Sequence, residues 1–182
     1  MCIRDSLYPV RASVVKTTEN KIKDMLVKRY NLHELHSYLW AYNDELKAID
    51  IPVEDNVKLA NATNPNIETL RNSIVPTQLC QIKSNLSFSN DFGIFEIGRV
   101  VNGLDENGLC IENKKLAITL YSKTRNVKDI YFELRDILAV VTDEIKHKAL
   151  TFEKAEPTHS YEHPVNPVSY THLRAHETSL HL

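Results

Sequence analysis

The sequence predicts an α+β fold in which an antiparallel sheet is flanked by helices. Apolar residues recur at helical spacing in residues 18–30, in a segment that begins at Pro76, and in residues 128–147. Residues 92–101 form a nearly continuous apolar run, which is typical of a strand covered on both faces. A short turn signal leads to a return strand, residues 115–122, and such connections join antiparallel neighbours. We expect the helices on one side of this sheet.

The first helix is expected over residues 18–30, with Thr18 as its N-cap. One face carries an apolar stripe at helical spacing, made of Ile22, Met25, Leu26 and Tyr30. This stripe has two interpretations: it packs on the chain's own sheet, or it serves partly as a subunit interface. Residues 35–40 follow and are rich in aromatic residues, which favours a strand.

The middle of the chain is expected to connect these elements to a second helix. Residues 41–54 read as a polar connection broken by Pro52, and residues 57–60 as a short strand. Asn64-Pro65-Asn66 is a turn signal. Pro76 suits the first turn of the next helix, because its φ is preset and it needs no donor there. The apolar residues expected on its buried face are Leu79, Ile82 and Leu86.

The second half is more strongly patterned. Asn102-Gly103 and Asn107-Gly108 both predict tight turns, and residues 151–153 are a candidate last strand. The clearest helix is residues 128–147, where an apolar face persists over four turns. Its members are Ile130, Leu134, Ile137, Leu138, Val141 and Ile145.

Composition bounds the class of protein. The chain has 182 residues, 42% hydrophobic and 25% charged, as expected for one globular domain. A net charge of −2 disfavours a protein whose main task is gripping nucleic acid phosphates. No apolar run reaches the roughly 18 residues of a membrane span, and no secretory layout is seen, so a soluble cytoplasmic protein without membrane contact is expected. Cys2, Cys80 and Cys110 are expected to be free, buried thiols.

Both ends differ from the rest. Residues 1–6 and 169–182 resemble peptides translated from sequencing-adapter DNA, which leaves residues 7–168 as one truncated module. A competing interpretation of the second end is a metal pair, because His172 and His176 have i, i+4 spacing. No cysteine or acidic residue frames that pair, so no metal site is predicted.

A central block of the sequence carries a family resemblance. Leu70-Arg71-Asn72-Ser73-Ile74-Val75-Pro76-Thr77-Gln78-Leu79 is followed by Asn85 and by Phe95-Glu96-Ile97-Gly98-Arg99-Val100. In this order and spacing it resembles bacterial phenylalanine–tRNA ligase beta subunits. Glu34 to Tyr38 and Tyr161 to Pro164 are similar to flanking segments of that family, whereas Arg135-Asp136 stands where the family has Lys-Gly. The matched motif residues are Leu70, Arg71, Ser73, Pro76, Asn85, Phe95, Glu96, Gly98 and Arg99.

The resemblance implies an incomplete class II aminoacyl-tRNA synthetase-like module that does no chemistry. In that family the beta subunit pairs with a catalytic alpha subunit, and two pairs form a heterotetramer that charges tRNA(Phe). The resemblance places ATP, Mg2+ and phenylalanine in the alpha subunit and no cofactor here. Residues 18–30 and the following strand take the place of motif 1, which builds interfaces, and residues 92–101 that of motif 2. The interface residues expected are Ile22, Met25, Leu26, Tyr30, Tyr38 and Trp40.

The sequence itself supplies little for adenylation. Its four glycines form no phosphate-binding loop, and none follows Gly108. Glu96 and Arg99 are three residues apart along a strand, so they point to opposite faces and cannot form one local pair. Arg99 is expected in a structural ion pair or an interface, with ATP contact as the alternative. Arg71 is expected to anchor its turn through backbone carbonyls, with substrate contact as the alternative.

Three hypotheses follow from these observations. The first is a non-catalytic scaffold module of the ligase, with no catalytic residue in this chain. The second is an active class II ligase domain cut off before motif 3. The third is a free-standing interaction domain of the same fold, since a fold alone does not fix function.

Overall fold

The computed structural model describes residues 12–146, 152–154 and 168–169. In chain order its helices are α1 (Val14–Tyr30), α2 (Asn43–Ala48), α3 (Val75–Asn85) and α4 (Val127–Lys146). Its strands are β1 (His33–Glu34), β2 (Trp40–Ala41), β3 (Thr69–Leu70), β4 (Asp91–Leu104), β5 (Cys110–Ser122), β6 (Glu153–Lys154) and β7 (Val168–Ser169). Two 3₁₀ turns, Val53–Asp55 and Pro65–Ile67, complete the list.

The main sheet has the order β1-β4-β5, and helices flank it, so the predicted α+β class is confirmed. β4 and β5 form the long antiparallel hairpin that the sequence predicts. β1 differs from the expectation, because it pairs with β4 in parallel, with His33 beside Ile94. The connection between β1 and β4 is long and contains α3, which permits a parallel neighbour.

The hydrophobic core lies between one face of the sheet and the helices α1 and α4. Ile22 and Leu26 from α1 meet Phe95 from β4 and Ile137 and Val141 from α4, all of them buried. α3 lies against the opposite face, where the fully buried Gln78 donates to the Ala117 carbonyl of β5 at 3.2 Å. The expectation that all helices lie on one side is therefore wrong. The two covered faces explain the continuous apolar run of β4.

α1 begins earlier than expected. Ser13 is its N-cap, and the Ser13 hydroxyl accepts from the Lys16 amide at 3.2 Å. Thr18 is not the cap; it lies inside the helix and donates to the Val14 carbonyl at 2.8 Å. Asn31 ends the helix with φ of 53°, in the left-handed region that asparagine tolerates, and its amide donates to carbonyls of the last turn.

The segment between α1 and α3 departs most from the prediction. Residues 35–39 are not a strand, and β2 comprises only Trp40–Ala41, paired with β3. Residues 41–54 contain the short helix α2 instead of a plain connection. Of residues 57–60, only Lys58 forms a bridge, to Thr69. Asn64 accepts from the Asn66 amide at 2.9 Å, which confirms the turn there.

In α3, Pro76 lies in the first turn as predicted. The predicted buried face is wrong, however. Pro76, Thr77 and Gln78 are the buried residues, and Leu86 is 43% exposed. Polar partners on β5 and α2, rather than apolar contacts, determine which face of α3 is buried. The spacing of the apolar residues therefore predicted the wrong face of this helix.

The hairpin turn lies at residues 105–109, where Gly108 has φ of 77°, as predicted for Asn107-Gly108. Asn102-Gly103 is not a turn: it lies within β4, where the pairing register shifts between Val101 and Leu104. This is a β-bulge, and Gly103 has φ of 124° there. The helix predicted over residues 128–147 is confirmed as α4. In the candidate strand at residues 151–153, Glu153 is the first residue of β6.

Among the described residues no helix is long and apolar enough to cross a membrane. Cys80 and Cys110 are free, but Cys110 is exposed rather than buried, because it starts the outer part of the hairpin. The described residues do not include Cys2, His172, His176 or residues 161–164. They also do not include the two predicted adapter-derived ends, apart from Ser169 in β7.

Candidate functional site

The matched motif residues meet in a buried polar network centred on Arg71. Its guanidinium Nη2 lies 2.7 Å from Glu96 Oε1, and its Nε donates to the Arg99 carbonyl at 3.0 Å. Its backbone amide donates to the Leu39 carbonyl at 2.9 Å, and its carbonyl accepts from the Val101 amide at 2.8 Å. Arg71 thus ties the β2–β3 ribbon to the free edge of β4. It bonds a carbonyl as expected, but one 28 residues away rather than in its own turn.

Glu96 and Ser37 complete the network. The Ser37 hydroxyl donates to Glu96 Oε2 at 2.6 Å and accepts from Arg71 Nη1. Only 4% of the Arg71 side chain and 3% of the Glu96 side chain are exposed. A buried charge needs a partner and further hydrogen bonds, and both are supplied here. These groups are therefore committed to holding the fold.

Gly98 makes room for this ion pair. A Cβ at Gly98 would lie 2.7 Å from Glu96 Oε1 and closer still to Arg71 Nη2. The nearest carbon, Ile74 Cδ1, would lie 3.3 Å away. The Glu96-Ile97-Gly98-Arg99 run of the motif thus has a physical explanation. It supplies the carboxylate, a gap for the guanidinium, and the carbonyl that Arg71 binds.

Arg99 lies apart from this network. Its side chain is 66% exposed and pairs across the hairpin with Glu112 at 3.1 Å. Glu96 and Arg99 therefore have separate partners, as their spacing predicted. An exposed ion pair of this kind contributes about 0–1 kcal/mol to stability.

The remaining motif residues have local roles. Phe95 is fully buried in the core, and Pro76 in the first turn of α3 is buried as well. The Ser73 hydroxyl accepts from the Val75 amide at 3.3 Å, at the start of α3. The Asn85 side chain donates to the Gln81 carbonyl at 2.7 Å, at the end of α3. Leu70 is half-buried on the outer face of β3.

The predicted interface residues fall into two groups. Ile22 and Leu26 are in the core, with Met25 and Tyr30 partly buried against it, so the stripe packs on the chain's own sheet. Tyr38 and Trp40 lie elsewhere, with rings stacked at 4.5 Å between centroids. Tyr38 is 65% exposed, whereas Trp40 is half-buried. A subunit interface at either group remains a prediction.

A small pocket of about 140 Å³ opens where β4 starts and α1 ends. Tyr30, Phe92 and Tyr121 line it together with Arg125 and Glu133. Arg125 Nη2 lies 2.5 Å from Glu133 Oε2, and this hydrogen bond raises the pKa of Arg125. The pocket is smaller than the roughly 300–1,000 Å³ of ordinary ligand sites. Its cation is already neutralised by the chain itself.

A second polar cluster, which the sequence did not indicate, joins α2 to α3. The Thr77 hydroxyl donates to Glu45 Oε2 at 3.3 Å. Burial raises the pKa of Glu45, and the bond from Thr77 opposes that rise. Burial also raises the pKa of the Cys80 thiol, and the Glu45 charge adds to it, so Cys80 is disfavoured as a thiolate. Nothing in the described segments groups three or more metal-binding side chains.

Comparisons with known proteins agree with the motif. A family model, the phenylalanyl tRNA synthetase beta chain CLM domain, matches residues 6–170. The structure is similar to PylSc, a pyrrolysyl-tRNA synthetase from Desulfitobacterium hafniense, with a TM-score of 0.62 at 14% identity. The similarity covers 80% of this chain but 51% of that one, so the chain spans about half the length of that relative. No curated protein matches the sequence.

At 14% identity the likeness to PylSc concerns the fold alone, which is that of a class II aminoacyl-tRNA synthetase. The family match is more specific, because it covers nearly the whole sequence and includes the Arg71, Glu96 and Gly98 positions. The chain therefore belongs to the family of the phenylalanyl-tRNA synthetase beta chain CLM domain.

Proposed function

We propose that this chain is a non-catalytic scaffold module of a phenylalanine–tRNA ligase beta subunit. In this proposal it supports the ATP-dependent attachment of phenylalanine to tRNA(Phe) by holding the catalytic alpha subunit within a cytoplasmic heterotetramer. One observation carries it: two of the three charged motif residues, Arg71 and Glu96, form a buried ion pair within the fold. Arg71 and Glu96 neutralise each other in the interior, where neither can reach a substrate.

The partners that the arginine side chains have within the chain support this proposal. Adenylation requires cations that clamp a triphosphate. Residues 12–146 contain five arginines, and each has a partner within the chain. Arg71, Arg99 and Arg125 pair with carboxylates. Arg29 and Arg135 lie over the rings of Tyr30 and Phe152, at 5.4 and 4.8 Å from the ring centroids.

The described residues also form no site that fits a nucleoside triphosphate with its metal ion. On the sheet face opposite the core, the side chains of Ile74 and Gln78 cover β4 and β5. The pocket beside Arg125 is too small for a nucleotide and presents two carboxylates, Asp91 and Glu133, which would repel phosphate. We therefore propose that ATP and Mg2+ bind in the alpha subunit, and that tRNA(Phe) is bound by the full complex.

Two measurements test the proposal. The chain alone, incubated with ATP, Mg2+ and phenylalanine, is expected to give no pyrophosphate exchange above a protein-free control. Mixed with the alpha subunit of the same ligase, it is expected to co-elute with it in gel filtration. Exchange by the chain alone would support the truncated active ligase instead. Failure to bind the alpha subunit at low and high salt would support a free-standing interaction domain.

A further inference from the structure

The β4–β5 hairpin contains two Asn-Gly pairs, Asn102-Gly103 and Asn107-Gly108, in different structural settings. Asn-Gly is the dipeptide at which an asparagine side chain most readily loses ammonia, because glycine has no Cβ to hinder its backbone nitrogen. A Cβ built at either glycine would meet no heavy atom within 4 Å, so neither pair is shielded by neighbouring groups. The constraints on the backbone around each asparagine therefore determine which of the two can react.

The sheet holds the backbone around Asn102 on both sides. Val101 and Leu104, which flank the Asn102-Gly103 bulge, are both paired with β5. On the other edge of β4, the Val101 amide donates to the Arg71 carbonyl at 2.8 Å. Rotation of the Asn102 backbone would break these bonds, so its side chain is kept from turning back onto the Gly103 nitrogen.

Asn107 lies in the hairpin turn, outside the paired strands, and both Asn107 and Gly108 are exposed. Hydrogen bonds to Asp105 hold this turn. The Gly108 amide donates to the Asp105 carbonyl at 3.0 Å, and the Asn107 amide donates to Asp105 Oδ1 at 2.9 Å. Exposed bonds at a loop tip open at little cost in free energy. Each opening frees the Gly108 nitrogen without unpairing the strands.

We propose that Asn107 is a site of spontaneous deamidation in the folded chain and that the fold protects Asn102. The Gly108 nitrogen loses its proton, and its electron pair forms a bond to Cγ of Asn107. The bond from Cγ to Nδ2 breaks, and Nδ2 leaves as ammonia with that proton. Water then opens the cyclic imide at either carbonyl, which gives aspartate or isoaspartate. Both products add a negative charge beside Asp105 and Glu106, and isoaspartate also lengthens the main chain of the turn by a methylene group.

The test incubates the full chain at mildly alkaline pH and follows both sites by peptide mass spectrometry, because replacing NH2 by OH changes the peptide mass. Asn102 is the matched control, since it is exposed and each asparagine is followed by Gly-Leu. We expect several-fold faster deamidation at Asn107 in buffer and similar rates at both sites in concentrated urea, which removes the sheet. No reaction at Asn107, a rate at Asn102 that equals or exceeds it, or an undiminished difference in urea would each overturn the proposal.

The bonds to Asp105 allow a second test. Asp105→Ala removes the carboxylate that accepts from the Asn107 and Leu109 amides at 2.9 and 2.8 Å. The turn should then open more often, so deamidation of Asn107 is expected to accelerate several-fold while that of Asn102 is unchanged. Glu106→Ala is the control, because it removes a charge from the same turn and leaves these bonds in place. Equal rates at Asn107 in the two variants would contradict the role of turn opening.

Discussion

Arg71 Nη2 and Glu96 Oε1 lie 2.7 Å apart in the interior, joining a loop and a strand that are 25 residues apart in sequence. Burying two charges is costly, and their attraction offsets that cost only when the remaining hydrogen-bonding groups are satisfied. Ser37 and the Arg99 carbonyl meet that condition. The pair therefore specifies how the β2–β3 ribbon docks on β4.

Removal of either charge is expected to destabilise the fold strongly. Glu96→Gln and Arg71→Met each leave a buried charge unpaired, and we expect a loss of about 3–5 kcal/mol in the free energy of unfolding. Urea denaturation measures this loss. Arg99→Ala is the control, because its ion pair is exposed and its loss is expected to cost at most about 1 kcal/mol. Equal effects at the three positions would contradict the assignment.

Gly98→Ala is expected to cost about 1–3 kcal/mol, because the new methyl group overlaps the ion pair. The closest overlap is with Arg71 Nη2, so the cost should shrink when the substitution is made in an Arg71→Ala background. A double-mutant cycle measured by urea denaturation gives this coupling directly. Additive effects of the two substitutions would mean that the overlap with Arg71 contributes nothing to the cost.

The two interpretations of the α1 stripe predict different effects of truncation. Leu26 is 0% exposed and packs against Phe95, so Leu26→Ala is expected to destabilise the isolated chain by about 2–5 kcal/mol. Val27, the next residue, is 45% exposed, and Val27→Ala is expected to stay within about 0.5 kcal/mol. If Leu26→Ala changed only the affinity for a partner, the stripe would be an interface and not core.

Glu45 is expected to make stability depend on pH. Its pKa is raised on folding by burial, so the folded state binds the proton more tightly than the unfolded state. This contribution is fully present below the ordinary glutamate pKa of about 4.3 and is lost as the pH rises through the higher folded pKa. Glu45→Gln should therefore stabilise the chain at pH 7 and give no gain near pH 4. Thermal melts at both values measure this, and an equal gain at both would exclude burial of the charge as the cause.

The elements with long, regular patterns could be predicted from the sequence. β4 and α4 each repeat one signal over ten residues or more, and the Asn107-Gly108 turn has a conformational requirement that few residues meet. α2 was missed because its six residues include too few apolar positions to show the helical period of 3.6 residues. The parallel pairing of β1 depends on which distant strand it meets, and its own two residues carry no information on that.

The site divides in the same way. Arg71, Glu96 and Gly98 could be selected as a motif, and the opposite facing of Glu96 and Arg99 followed from strand geometry. The pairing of Arg71 with Glu96 could not be predicted, because it depends on how a loop lies against a strand edge. Gln78 was missed for a related reason. A fully buried glutamine is rare unless it has partners, and its partner Thr119 lies on β5, 41 residues away.

The parallel pairing of β1 with β4 has a consequence for biosynthesis. When β1 leaves the ribosome, its hydrogen-bonding partner is still roughly 60 residues from being made, and the α4 side chains that close the core come later still. The apolar face of α1 therefore stays exposed to solvent until the hairpin and α4 have emerged. A nascent chain stalled before Ile94 has no strand for β1 to join, and its exposed apolar side chains and unpaired strand edge favour aggregation.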